Sequence, residues 1–67
     1  MTEVEILQHF RRMPNGVWTT IKPVTIFGLA MVPGVSVRIG GSLGGMDIAA
    51  ALNQFAVKYP EAVQDIQ

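Results

Sequence analysis

The sequence predicts a single small α+β domain over residues 1–67: an N-terminal helix, a three-stranded antiparallel β-meander and a C-terminal helix packed on the sheet. Three observations predict it. Helical periodicity occupies both ends of the chain, the middle is rich in Val, Ile, Thr and aromatic side chains, and Pro and Gly punctuate that middle at short intervals. With 67 residues, the chain has material for one small core, burying only about 60% of the surface that its unfolded form exposes.

The first helix is predicted over 2–13. Thr2 and Glu5 have the spacing of a capping box, in which hydroxyl and carboxylate each satisfy a free backbone N–H. Glu3 and Glu5 then lie at the positive end of the helix dipole, Arg11 and Arg12 at the negative end. Ile6, Leu7, Phe10 and Met13 fall on one stripe, with Gln8, Arg11 and Arg12 pointing away. Pro14-Asn15-Gly16 stops the helix and turns the chain. His9, four residues after Glu5, is read as a helix-supporting partner of that glutamate.

Three strands are predicted over 17–22, 24–32 and 35–39. In the first, Trp18, Thr20 and Lys22 share one face and Val17, Thr19 and Ile21 the other. The second is apolar on both faces, as a covered central strand would be, and Gly28 within it marks a bulge or a tight turn. In the third, Val35, Val37 and Ile39 oppose Ser36 and Arg38. Pro33-Gly34 favours a type II turn in a connection slightly wider than a two-residue hairpin.

The second helix is predicted over 47–59, with Asp47 at its N-terminus and Pro60 beyond its end. Ile48, Leu52, Phe55 and Tyr59, flanked by Ala51 and Ala56, form the stripe that packs on the sheet. The opposite face, Ala50, Asn53, Gln54, Val57 and Lys58, offers a single charge. Residues 61–67 form one more turn with Val63 and Ile66 inward, or fray.

The glycine cluster at 40–45 lies between a strand and a helix, where phosphate-binding loops occur. Its spacing fits neither a P-loop nor the dinucleotide fingerprint, and Asp47 puts a negative charge where a phosphate would sit, so it reads as a connector. His9, Ser42 and Asp47 make a nucleophilic triad only on paper. There is no cysteine and no spacing suited to a metal. No catalytic site, cofactor site or metal site is expected, and the chain is not expected to be an enzyme.

Charged residues make up 15% of the chain and hydrophobic ones 49%, against about 25% charged in an ordinary domain. Between Met13 and Val57 only Lys22, Arg38 and Asp47 are charged. The uncharged stretch from Pro23 to Val37 is too short for a membrane span of about 20 residues, and Pro33-Gly34 breaks it. Glu3 and Glu5 stand where a secretory signal would be basic, so the default location is cytoplasmic. The net charge of zero disfavours partners held mainly by electrostatics.

These features point to a protein-protein interaction or assembly module, self-associating as a homo-oligomer through its apolar sheet and second helix, with a further host protein as a possible partner. The interface candidates are Trp18, Phe27, Met31, Ala50 and Val57. Trp18 is either a large core ring with its N–H satisfied or, if Val17, Thr19 and Ile21 pack inward, an exposed anchor. The alternative is a small nucleic-acid-binding accessory protein using Arg11, Arg12, Lys22 and Arg38. No motif points to a family; the size and the want of a catalytic signature are loosely similar to those of short accessory proteins of bacteriophages and prophages.

Overall fold

In the computed structural model, which describes residues 1–41 and 45–64, the capping box starts the first helix, α1 (Glu3–Gln8). Thr2 Oγ1 accepts from the Glu5 N–H at 3.1 Å and Glu5 Oε1 accepts from the Thr2 N–H at 3.1 Å. Hydrogen bonding to the carboxyl by the Thr2 backbone N–H and then by the Thr2 hydroxyl, helped by the N-terminal charge and His9, holds the Glu5 carboxyl below its ordinary pKa. A carboxylate depressed in the folded state stabilises the fold above its unfolded value of about 4.3, and that contribution is lost as pH falls through the lowered value. Glu5→Gln is therefore expected to lower stability near neutral pH and to leave the most acid values little changed, which flattens the acid limb of stability against pH. Urea midpoints from about pH 3 to about pH 7 test this, and an unchanged acid limb would refute it.

α1 is shorter than predicted. His9 caps it, its Nδ1 lying 2.6 Å from the Glu5 carbonyl oxygen, so the histidine engages the glutamate's backbone. Phe10–Arg12 is a strand, β1, paired antiparallel with β2 (Trp18–Thr20) in the register Phe10↔Thr20, Arg11↔Thr19, Arg12↔Trp18. The predicted helix stop is thus a hairpin loop. Met13 N–H donates to the Val17 carbonyl and Gly16 N–H to the Met13 carbonyl, with Gly16 at φ 85. That is the three-residue loop in which Pro and Asn supply the turn and Gly the left-handed position. Phe10 satisfies both periodicities, being buried whether the backbone is helical or extended. The pairing of Arg11 and Arg12 with β2 replaces the dipole account of those residues.

The predicted meander is a pair of sheets. β3 (Val24–Ile26) and β4 (Leu29–Met31) form a separate two-stranded hairpin, while β5 (Ser36–Val37) joins β2 on its other side, giving the order β1-β2-β5. Residues 24–32 are not one central strand, because Phe27 and Gly28 both have positive φ, 51 and 77, and reverse the chain. At the Pro33-Gly34 turn Gly34 has φ 93, as a type II turn requires. Thr20 ties the two sheets together. Its hydroxyl donates to the Val32 carbonyl at 2.7 Å and accepts from the Val35 N–H at 2.8 Å, while its carbonyl accepts from Gly34 N–H at 2.8 Å.

The second helix, α2 (Ile48–Lys58), starts at Asp47 as predicted, and a 3₁₀ turn at Pro60–Ala62 follows it. Its buried face is Ile48, Ala49, Leu52 and Ala56. This is rotated from the predicted stripe, with Phe55 half-buried and Tyr59 exposed. The rotation brings Asn53 inward, where its Oδ1 accepts the Trp18 indole N–H at 3.0 Å. A buried indole needs such an acceptor, and Asn53 supplies it from the face predicted to lie opposite the sheet-packing stripe.

Trp18, Phe10, Leu7, Ile48 and Leu52 are fully buried and centre one core shared by both sheets and both helices. The chain's C-terminal segment closes the structure. Arg12 N–H donates to the Gln64 carbonyl and Gln64 Nε2 to the Gln8 carbonyl, both at 2.7 Å. One residue thereby covers part of an edge strand and an open helix end. The accessible surface is 4117 Å², close to the roughly 4,200 Å² expected of a compact chain of this mass. The low charge content therefore shows in which side chains lie outside.

Candidate interface

The uncharged stretch that stands out in the sequence becomes the β3–β4 hairpin. Strand alternation turns Val24, Ile26 and Met31 into the core and leaves Thr25 and Ala30, which are cross-strand partners, exposed. Pro23 and Val32 extend the hairpin at its base, Val32 being 68% exposed, and Phe27 stands at its tip, 44% exposed. Beside the base lies an apolar groove of about 440 Å³, lined by Met1, Pro23, Val24, Thr25, Ala30, Met31 and Val32.

The tip is strained. A two-residue loop with positive φ at both positions is a type I′ turn, for which Asn-Gly is the preferred pair. Gly28 adopts its φ freely, whereas a non-glycine side chain in the left-handed region costs about 1–2 kcal/mol. Phe27 is partly exposed, so core packing does not fully compensate this cost. Phe27→Asn is accordingly expected to raise stability by about 1 kcal/mol, seen as a higher urea midpoint. A lower midpoint would show that Phe27 is anchored by packing within the chain.

The other interface candidates lie apart from this face. Trp18 and Met31 are buried within the chain, Ala50 is half-buried, and Val57 is exposed on the outer side of α2 beside Gln54 and Lys58. Trp18 faces inward with Thr20, which removes the condition under which it would be an outward anchor. Sequence reasoning missed Met1, Pro23, Ala30 and Val32. Pro23, Ala30 and Val32 lie in the charge-free stretch and Met1 at the start of the sequence, and their common face follows only once the turn is placed at Phe27-Gly28.

The cations do not form one cluster. The Arg12 guanidinium stacks over the Trp18 ring at 5.6 Å from its centroid, while Arg11, Lys22 and Arg38 are exposed. Arg11 stands in register with Thr19 and Ser36, whose hydroxyls are 3.1 Å apart, on the outer face of the β1-β2-β5 sheet.

At the glycine-rich segment, Asp47 accepts from Gly40 N–H at 2.9 Å and Ala50 N–H at 3.1 Å. The anion at this helix start is thus the chain's own carboxylate, which supports the connector reading. Gly40 and Gly45 have φ 80 and 81; Ser42, of the paper triad, lies outside the described residues, as does Ile66. Among the described residues no helix is long and apolar enough to cross a membrane. No family model, curated protein or solved structure matches the chain.

Proposed function

We propose that this protein is a non-enzymatic protein-interaction module that self-associates through its β3–β4 hairpin. The observation that carries this reading is Phe27, an exposed aromatic held at φ 51 on the tip of a hairpin without a charged residue. Strain of this kind, kept at a surface position, is characteristic of sites that engage a partner. A net charge of zero means that two copies do not repel each other over distance. Val57, 84% exposed, gives α2 a subsidiary apolar contact.

The face is small. Four to five residues of strand by two strands make roughly 17 by 10 Å, which places the contact well below the standard interface size and in the weak class. Light scattering on a sizing column, from about 10 μM to about 1 mM, is expected to show mass rising with concentration above the 7.3 kDa monomer. A constant monomer mass across that range would end the self-association reading.

A second reading, contact with a nucleic-acid backbone, draws on Arg11 and Arg38, exposed with the Thr19 and Ser36 hydroxyls between β1 and the end of β5. Three exposed cations would give a single strand a log-log salt slope of only about −2. Failure to shift any oligonucleotide at low salt would remove it.

A further inference from the structure

We propose that Asn15 is a site of covalent self-modification, at which the Gly16 backbone nitrogen displaces ammonia from the Asn15 carboxamide and leaves a carboxylate in the β1–β2 loop. Asn15-Gly16 is the one asparagine-glycine pair in the sequence, and the loop exposes both residues to water. Gly16 has no side chain to shield its own nitrogen, and even a Cβ there would meet nothing within 4 Å.

The hydrogen bonds of the loop set up the reaction. Asn15 Oδ1 accepts from the Val17 N–H at 3.1 Å, which turns the carboxamide toward the peptide that follows it and polarises its carbonyl. After water takes the Gly16 amide proton, the nitrogen attacks Cγ and forms the new N–C bond. Negative charge then develops on Oδ1, where the Val17 N–H already points. Collapse breaks the Cγ–Nδ2 bond, ammonia leaves with a proton from water, and a cyclic imide remains. Water opens the imide: cleavage at Cγ gives aspartate, cleavage at the backbone carbonyl gives isoaspartate, and nothing is oxidised or reduced. The Gly16 N–H donates to the Met13 carbonyl at 3.0 Å and must be released first, a local opening of one exposed turn.

The loop tells the two products apart. Aspartate accepts from the Val17 N–H as asparagine does, whereas isoaspartate adds a methylene to the backbone and shifts the Met13–Val17 closure. Asn53, the other asparagine of the sequence, is an internal control. It lies in α2 with Oδ1 on the Trp18 indole, and the nitrogen that follows it is held in the helical ladder.

The test is mass spectrometry of the full chain held folded in mildly alkaline buffer and then cut with trypsin. Peptide 13–38, kept whole because Pro23 follows Lys22, contains Asn15 and no other side-chain amide, and peptide 39–58 contains Asn53. Peptide 13–38 is expected to exchange NH for O at least tenfold faster than peptide 39–58, and about tenfold faster for each unit of pH, because the deprotonated nitrogen is the nucleophile. The folded chain is expected to react within about tenfold of the chain unfolded in urea. Asn15→Asp is expected to keep the wild-type far-UV spectrum and a urea midpoint close to wild type, and the chromatographically resolved isoaspartyl form to unfold at lower urea. No exchange in peptide 13–38, or an equal one in peptide 39–58, overturns the assignment. Exchange at Asn15 only in urea overturns the activating role of the loop, and an Asn15→Asp chain that loses the fold overturns the discrimination between products.

Discussion

Trp18→Ala is expected to leave the chain unfolded in water at about 25 °C. A folded chain of this length has roughly 3–10 kcal/mol of stability, and truncating a fully buried Trp or Phe to Ala costs about 3–5 kcal/mol through lost transfer energy and the cavity left behind. Trp18 is 0% exposed and is the largest fully buried side chain. Its removal also takes away the partner of the Asn53 amide and the ring under Arg12. Trp18→Phe keeps a ring but not the N–H, and should stay folded with a lowered urea midpoint. Far-UV circular dichroism and a urea titration separate the cases; a cooperative transition for Trp18→Ala at the wild-type midpoint would refute this account of the core.

Thr20→Val is expected to cost about 2 kcal/mol although the two side chains have nearly the same shape. The threonine is 2% exposed, and its hydroxyl serves both the Val32 carbonyl and the Val35 N–H. A methyl group in its place leaves the half-buried Val35 N–H unpaired, and a buried donor without a partner costs about 1–3 kcal/mol. Val32 is open to solvent, so its carbonyl recovers a bond to water and adds less. Thr20→Ser keeps the hydroxyl and should restore most of the loss. The Val35 amide should exchange with solvent faster in Thr20→Val and near the wild-type rate in Thr20→Ser. Equal exchange in all three would mean that the hydroxyl does not join the sheets.

The parts of this fold legible in the sequence are those set by local chemistry. Thr2 with Glu5 and Asp47 at α2 declare helix starts through side chains that reach only three residues along the chain, and Pro33-Gly34 declares a turn. The α+β class follows from the same signals. β1 was hidden because Phe10 lies on the apolar stripe of Ile6 and Leu7 in a helix and on the inner face in a strand; only pairing with Trp18–Thr20 decides between them. Residues 24–32 read as one strand because Phe27 is a poor turn former by propensity, and its left-handed backbone is held by the Val24↔Met31 to Ile26↔Leu29 ladder on either side. Helical periodicity alone places Asn53 on the outer face, because its acceptor role depends on an indole 35 residues away in sequence. The candidate interface was half legible: the missing charges mark the segment, and the turn position, which they do not encode, selects the face.

Gln64 has a kinetic meaning as well as a structural one. Its side chain closes a loop of 56 residues onto Gln8, so the end of α1 and the edge of β1 are completed by one of the longest-range contacts available to the chain. Loop-closure entropy grows only logarithmically with such length, but it must be met before the contact returns any stability. Whenever the Gln64 segment is undocked, the β1 edge is open. In that interval strand pairing between chains competes with closure within one chain. Exchange of the Arg12 amide, protected by the Gln64 carbonyl, reports how often that edge opens in the folded protein.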